Sequence, residues 1–110
     1  MASERLSDVR VVLCTAPAAE AAALADRLLD EKLIACANLI GPLESRYVWQ
    51  GEREVAQETL LVLKTRADLV ALLQQRITAL HSYEVPEVLV LPVEGGHEPY
   101  LAWVRQSCRP

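Results

Sequence analysis

Apolar positions alternate with the period of a β-strand near the start of the chain. Residues 9–15 (VRVVLCT) are rich in β-branched side chains, which strands favour. One face of the predicted strand carries Val9, Val11 and Leu13, and the opposite face carries Arg10, Val12 and Cys14. Because apolar residues lie on both faces, the pattern predicts an inner strand of a sheet.

A helical period replaces this alternation at Pro17. Proline lacks an N–H group but suits the first turn of a helix, and Glu20 falls in that turn, where the helix dipole favours an acid. The pattern therefore predicts a helix over residues 17–31. Its apolar stripe is Ala21, Leu24, Ala25 and Leu28, and its solvent face carries the pair Arg27 and Glu31.

A long hairpin follows this helix. Residues 34–49 are extended in character and are interrupted by Gly41-Pro42, which indicates a bulge or kink. Gln50-Gly51 predicts the turn, and residues 52–65 predict the return strand. In the second half of that strand, Leu61 and Leu63 share one face while Leu60 and Val62 share the other.

The last third of the chain predicts a helix, a short strand and a final short helix. Asp68 stands where a helix N-cap is wanted, and His81 lies at the end of the helix that follows. The apolar stripe of this helix is Leu69, Leu72, Leu73, Ile77 and Leu80. A loop over 81–87 leads to a strand over 87–92, and after Gly95-Gly96 a helix runs from Pro99 through Trp103.

The order β-α-β-β-α-β plus a terminal helix predicts an α+β fold, a ferredoxin-like sandwich with its helices on one sheet face. We expect one domain over residues 1–110, with a flexible N-terminus at 1–8 and a core at 9–107. In that topology the first strand lies beside the fourth. Cys14, the hairpin tip and the 81–87 loop then share one end of the molecule.

The predicted hairpin is longer than one small domain needs. Sixteen strand residues span roughly 50 Å at about 3.3 Å each. Long unpaired strand edges promote aggregation unless something covers them. We therefore expect another copy of the chain to pair with the hairpin in a closed, symmetric oligomer.

Composition and charge exclude several partners. The 110 residues carry 15 acidic and 11 basic side chains, a formal charge of -4, and no stretch concentrates Lys or Arg. Nucleic acid and anionic membrane surfaces are therefore poor partners. No apolar stretch approaches the roughly 20 residues of a membrane span, and the start lacks signal-peptide character. We expect a cytoplasmic protein.

Cysteine and histidine are the candidate chemical groups. Three cysteines without CxxC spacing predict free thiols. Cys14 ends a strand just before a helix, where a thiolate could be stabilised as a nucleophile or soft metal ligand; the alternative is a small buried core residue. Cys36 lies in the apolar stretch LIACANLI, so we expect even more strongly that it is a buried core residue. Cys108 lies near the C-terminus and is expected to be frayed.

His81 has three alternative roles: a metal ligand, a proton carrier, or a cap on the last helical carbonyls. Its predicted proximity to Cys14 favours the first, since a thiol and an imidazole suit copper or zinc. Two protein ligands are too few for a tight, closed site. His97 is assigned no role, and the chain contains no P-loop, GxGxxG, HExxH or GxSxG motif.

Several blocks resemble one family. VVLCTAP at 11–17, KLIACANLI at 32–40, YVWQGE at 47–52, LLVLKT at 60–65, and HSYEVPEVLVLPVEGG at 81–96 followed by YLAW at 100–103 resemble the CutA divalent-cation tolerance family. The resemblance implies a ferredoxin-like protomer in a compact homotrimer, similar to the PII signalling proteins. It also implies that the protein binds copper, or otherwise zinc or another divalent cation, with Cys14 and His81 as the metal ligands.

The chain departs from the family pattern beside His81. The family commonly has proline where this chain has Ser82, and some members carry a further histidine where it has Leu80. The resemblance therefore implies a looser loop and weaker metal binding here.

Two hypotheses of function follow, and in neither of them is the protein an enzyme. The first is a trimeric protein that binds copper or a similar ion in metal ion response and homeostasis. The second is a PII-like signalling or interaction module, with an unidentified protein partner, that binds a small anionic or aromatic ligand in an intersubunit cleft. Trp49, Tyr83 and Glu87 would line that cleft, although ordinary interface packing also explains them.

Overall fold

Four antiparallel strands form one sheet in a computed structural model that describes residues 6–110. The strands are β1 Val9–Ala16, β2 Cys36–Trp49, β3 Glu52–Arg66 and β4 Leu89–Pro92, and the helices are α1 Ala18–Asp30, α2 Val70–Leu80 and α3 Glu98–Ser107. The spatial order is β2-β3-β1-β4, so β1 lies between β3 and β4. This arrangement confirms the predicted ferredoxin-like α+β fold.

The core lies between the sheet and helices α1 and α2. The four residues of the predicted α1 stripe are all buried, as are Leu61 and Leu63 on the matching face of β3. Leu73 and Ile77 of α2 complete this layer. The periodicity of the sequence therefore located the core correctly, because the same residues that repeat every turn or every second position face the helix–sheet interface.

A second, smaller cluster lies on the opposite side of β1. Val9 packs there against Leu101 and Val104 of α3. Farther along the same face, Val11 and Leu13 are only partly buried. Helix α3 thus covers the Val9 end of this face, while the apolar remainder of the face keeps access to solvent.

The hairpin projects beyond the rest of the sheet. β1 pairs with β3 only over the segment 59–66, so in residues 6–110 the segment 52–58 of β3 pairs with β2 alone. The register of β2 and β3 shifts between Ile40 and Leu43, at the predicted bulge, which contains a cis Gly41–Pro42 peptide. The long axis of the molecule measures 46 Å, in agreement with the expected length of the hairpin.

The tip of the hairpin is the predicted Gln50-Gly51 turn. Gln50 has φ +51° and Gly51 has φ +80°, so both central residues adopt left-handed backbone. This two-residue turn matches the right-handed twist of the strands on either side. Trp49 and Glu52 pair directly across it.

The start of α2 differs from the prediction. Asp68 caps no helix, because it lies inside a 3-10 turn over Ala67–Leu69 and its carboxylate pairs with Arg66 at 2.9 Å. Helix α2 begins at Val70, one residue later than an N-cap at Asp68 predicts, and it has no side-chain cap. The Arg66 guanidinium donates to both oxygens of this carboxylate.

The C-terminal segment is longer and better packed than expected. β4 begins at Leu89 rather than 87, and α3 continues four residues past Trp103. Cys108, expected to be frayed, is buried in the main core cluster. The following residue holds it there: the Arg109 N–H donates to the Lys32 carbonyl at 2.8 Å.

The predicted flexible segment 1–8 is described only in part. Residues 1–5 lie outside the described residues, whereas the Ser7 N–H and hydroxyl both donate to the carbonyl oxygen of Val93, at 3.0 and 2.8 Å. Within residues 6–110, no helix is both long enough and apolar enough to cross a membrane.

Candidate functional site

The C-terminal ends of β1 and α2 meet at one end of the sheet. β1 brings Cys14 and Thr15 to this point, and α2 ends here because His81 leaves helical geometry with φ -75° and ψ 144°. The His81 N–H still donates to the Ile77 carbonyl, which makes the last bond of the helix. The sequence-based expectation placed Cys14 and His81 together, and the structure does bring them together.

Both ring nitrogens of His81 are engaged. Nε2 lies 2.7 Å from the carbonyl oxygen of Thr15, and Nδ1 accepts the main-chain N–H of Tyr83 at 3.0 Å. Because a carbonyl only accepts, the hydrogen is on Nε2, and Nδ1 supplies the lone pair for Tyr83. The imidazole therefore fixes the first residues of the 81–87 loop against β1, and its ring lies 4.7 Å from that of Tyr83.

Cys14 is a fully buried core residue. Its Sγ donates to the same Thr15 carbonyl oxygen at 3.6 Å. Burial, together with the negative charges of Glu87 and Glu58, raises the pKa of the thiol to about 12. The thiol is thus protonated at neutral pH, and of the two alternatives for this residue the structure favours the core residue over the activated thiolate.

The remaining candidate ligands lie elsewhere. Cys36 begins β2 and contacts Lys64, Cys108 follows α3, and His97 is exposed at the start of α3. Within residues 6–110, no three side chains of His, Cys, Asp or Glu are grouped closely enough to hold a metal ion. Cys14 and His81 are accordingly two donors without a third.

A cavity of about 660 Å³ lies beside this junction, between the hairpin and the 81–87 loop. We refer to it as the hairpin cavity. Trp49, Tyr83 and Glu87 were expected to line a cleft between subunits, and within this one chain all three are part of the cavity wall, together with Thr15, Tyr47 and Glu58. The hairpin cavity and the Cys14–His81 junction are therefore continuous, because Thr15 belongs to both.

Among the cavity residues that the sequence analysis missed, Glu58 is the buried charged one. Only 5% of it is exposed, and its Oε2 accepts the hydroxyl of Tyr83 at 2.9 Å. Burial and this carboxylate raise the pKa of Tyr83 to about 12, which keeps the phenol protonated as the donor. The available indication was its position, as the last charged residue before the apolar stretch TLLVLK of β3.

Ser82, which stands where the resembling family commonly has proline, makes a side-chain hydrogen bond. Its hydroxyl donates to a carboxylate oxygen of Glu20 in the first turn of α1, at 2.9 Å. The loop is thereby bonded to α1 through Ser82 and to β1 through His81.

Comparison with known proteins gives one consistent result. A family model described as CutA1 divalent ion tolerance protein matches residues 10–107. A curated relative from Thermus thermophilus, named divalent-cation tolerance protein CutA, is 44% identical over 98 residues, covering 88% of this chain and 95% of its own. Protein CutA, chloroplastic, from Arabidopsis thaliana is 43% identical over 100 residues, covering 90% of this chain and 55% of its own.

The chain thus spans about half the length of that plant relative. Among solved structures, the PII-like protein CutA from Nostoc sp. PCC 7120 in apo form superimposes with a TM-score of 0.87 at 31% identity. That match covers 91% of this chain and 97% of the Nostoc chain.

Proposed function

The chain belongs to the CutA1 divalent ion tolerance protein family, and from this membership we propose that it acts in the response to and homeostasis of divalent cations, through binding rather than catalysis. Copper is the proposed cation, with Cys14 and His81 as its ligands. The observation that supports this proposal is that the Cys14 sulfur and the His81 imidazole contact the same atom, the Thr15 carbonyl oxygen. We propose the cytoplasm as its location.

The two residues fit copper by donor type but not as a preformed site. Sulfur and imidazole nitrogen are donors that copper accepts. Against this, the Cys14 thiol keeps its proton, and each ring nitrogen of His81 already has a hydrogen-bond partner. A cation bound here must compete with those interactions and with the proton, so binding is expected to weaken as the pH falls.

Titration calorimetry tests the copper proposal directly. Copper(I) under anaerobic conditions, copper(II) and zinc would be titrated into the unmodified protein and into the Cys14→Ala and His81→Ala variants. Cys108→Ala is a matched control, because Cys108 is also buried with a raised thiol pKa but lies at the far end of β3 from the junction. Loss of binding in the first two variants alone supports the proposal, and equal titrations in all four proteins overturn it.

A second candidate function is favoured by the hairpin cavity. We propose, as the alternative, a PII-like signalling or interaction module that binds a small ligand there and presents the bound state to a protein partner. The cavity volume of about 660 Å³ lies within the roughly 300 to 1,000 Å³ of small-molecule sites. The solved relative from Nostoc carries the description PII-like.

A thermal-shift screen of metabolites separates the two candidates. A ligand that binds only the folded protein stabilises it by an amount that rises with the logarithm of the ligand concentration relative to its dissociation constant. A shift produced by an organic compound and reduced by a substitution at Trp49 supports the second candidate. If metals alone move the transition, the second candidate fails.

We further propose that the working form is a homotrimer. The sheet face opposite α1 and α2 presents apolar side chains to solvent, with Ile40 54%, Leu89 53% and Leu91 42% exposed. The projecting half of the hairpin adds Val48, which is 71% exposed. Contiguous apolar surface of this kind is typical of an interface between chains.

Sedimentation equilibrium tests the assembly. A trimer has three times the protomer mass of 12.2 kDa. An Ile40→Glu variant, which places a charge on the open sheet face, is expected to lower the mass, whereas Thr78→Glu on the exposed surface of α2 is a control that should not. A single protomer mass in the unmodified protein overturns the proposal.

A further inference from the structure

Glu58 carries a buried negative charge without a positive partner. Among residues 6–110, its one hydrogen bond is to the Tyr83 hydroxyl at Oε2, and no Arg, Lys or His forms an ion pair with it. Every fully buried side-chain oxygen in that part of the chain has a partner. The unbonded Oε1 is therefore not fully buried, and because Glu58 lines the hairpin cavity, this oxygen is available to accept a donor from a ligand there.

The charge of the cavity wall favours a cation. Glu58, Glu84 and Glu87 line the cavity, and Arg46 is the cationic residue among its lining residues. The Arg46 guanidinium is already paired with Glu44 at 2.7 Å. Buried carboxylates are normally matched by a positive group. An anionic ligand would meet net repulsion here, so the charge argues against the anionic ligands considered for the second candidate function.

Aromatic side chains line the same cavity as Glu58. Tyr47, Trp49 and Tyr83 all contribute to the wall, and Tyr47 and Trp49 are 44% and 42% exposed. The faces of such rings attract cations, tryptophan most strongly, and they also bury apolar groups. A carboxylate that can accept hydrogen bonds, within a wall that includes three aromatic rings, is complementary to a molecule with both an ammonium group and an apolar part.

We propose that the hairpin cavity binds a small organic cation, a protonated amine attached to an aromatic or apolar group, with Glu58 as the acceptor for its ammonium. This inference rests on the second candidate function and narrows its ligand class. A bare metal ion suits the cavity less well, since no three metal-ligating side chains are grouped within the described part of the chain.

Three probes of one shape test the charge requirement. Benzylamine is cationic at pH 7, benzyl alcohol is neutral and benzoate is anionic, while their size is nearly the same. The chain has two tryptophans, so a Trp103→Phe variant leaves Trp49 as the sole tryptophan, and its fluorescence reports on the cavity. Benzylamine is expected to change this fluorescence saturably, with calorimetry giving the affinity, whereas the other two probes should bind at least about tenfold more weakly.

Glu58→Gln is the decisive variant, because it keeps one oxygen to accept the Tyr83 hydroxyl, removes the charge and replaces the second acceptor oxygen by an NH2 donor. Benzylamine affinity is expected to fall at least about tenfold in this variant. Glu94→Gln, an exposed carboxylate that does not line the cavity, is the matched control and should bind as the unmodified protein does. Should Glu58→Gln fail to fold by circular dichroism, Trp49→Leu replaces it with the same expected loss.

The outcomes that overturn the inference are separate from those that overturn the second candidate function. If benzylamine and benzyl alcohol bind equally, or if benzoate binds best, the preference for a cation is refuted. The second candidate function, a module that binds a small ligand, would still stand. If no probe binds and Glu58→Gln changes the sedimentation mass, Glu58 pairs with a basic side chain of another copy, and the inference is wrong. If no probe and no metabolite of the thermal-shift screen binds, both fail.

Discussion

Cys14 and His81 share one hydrogen-bond acceptor, the main-chain oxygen of Thr15, with Sγ at 3.6 Å and Nε2 at 2.7 Å. This oxygen joins the end of β1 to the end of α2. The other ring nitrogen of His81 then orders the 81–87 loop through the Tyr83 N–H, and the Tyr83 hydroxyl reaches Glu58. One chain of hydrogen bonds therefore connects the proposed metal ligands to the hairpin cavity.

Removing the imidazole should loosen the 81–87 loop locally. In His81→Ala the Tyr83 N–H loses its acceptor, so we expect its amide hydrogen to exchange at least about tenfold faster. Hydrogen-exchange mass spectrometry measures this directly. The other histidine provides the control, because His97 is exposed and its side chain caps no helix. Unchanged protection of Tyr83 would show that the loop is held by other contacts.

The three thiols should differ sharply in reactivity. With its pKa raised to about 12, Cys14 has on the order of one thiol in ten thousand ionised at pH 8. Burial also raises the pKa of Cys108. We expect iodoacetamide to modify the partly exposed Cys36 first, and Cys14 and Cys108 only in denaturant, as read by peptide mass spectrometry. Rapid native labelling of Cys14 would contradict the core placement, and Cys36→Ala should abolish the fast phase.

Glu31 should make stability depend on pH in the acid range. Its carboxylate accepts two hydrogen bonds from Arg76 and one from Arg27, and these guanidinium groups lower its pKa from 4.5 to about 2. Because the folded state then binds the proton less readily than the unfolded state, the stabilisation is complete above pH 4.5 and is lost as the pH falls towards 2.

Urea denaturation of Glu31→Gln at several pH values tests this. The variant is expected to be less stable than the unmodified protein at pH 7, and the difference in free energy of unfolding should shrink between pH 4.5 and 2. Glu94→Gln, a carboxylate without an ion pair among the described residues, should show no such convergence. A difference that stays constant down to pH 2 would mean that Glu31 contributes nothing through its charge.

The sequence predicted the parts of the molecule that depend on local period. The buried stripe of α1 and the burial of Leu61 follow from spacing alone, since every residue at those positions faces the same layer. Asp68 was misassigned because its carboxylate pairs with Arg66. Glu58 was missed because its burial and its Tyr83 partner, 25 residues away, arise from tertiary packing that no local pattern records.

Any side chain at Gly41 should destabilise the protein. A Cβ there would lie 2.9 Å from the Thr59 hydroxyl oxygen and 3.3 Å from its Cα, so the main chain of β3 would have to move. We expect Gly41→Ala to lower the free energy of unfolding by about 1 to 3 kcal/mol, the usual cost of overpacking. Gly95→Ala is the control, since its Cβ would meet nothing within 4 Å. Equal urea midpoints for the two variants would refute this account of the bulge.

Thr65 should be the most sensitive hydrogen-bonding side chain of the core. It is fully buried, and its hydroxyl donates to the Leu33 carbonyl at 2.6 Å, which ties the connection after α1 to β3. Thr65→Val keeps the shape but leaves that carbonyl without its donor, so we expect a loss of about 1 to 3 kcal/mol in urea denaturation. Thr78→Val, an exposed threonine bonded within its own helix, should cost far less. Thr65→Ser retains the donor and should recover most of the loss; if it is as unstable as Thr65→Val, packing of the methyl group rather than the hydrogen bond stabilises this junction.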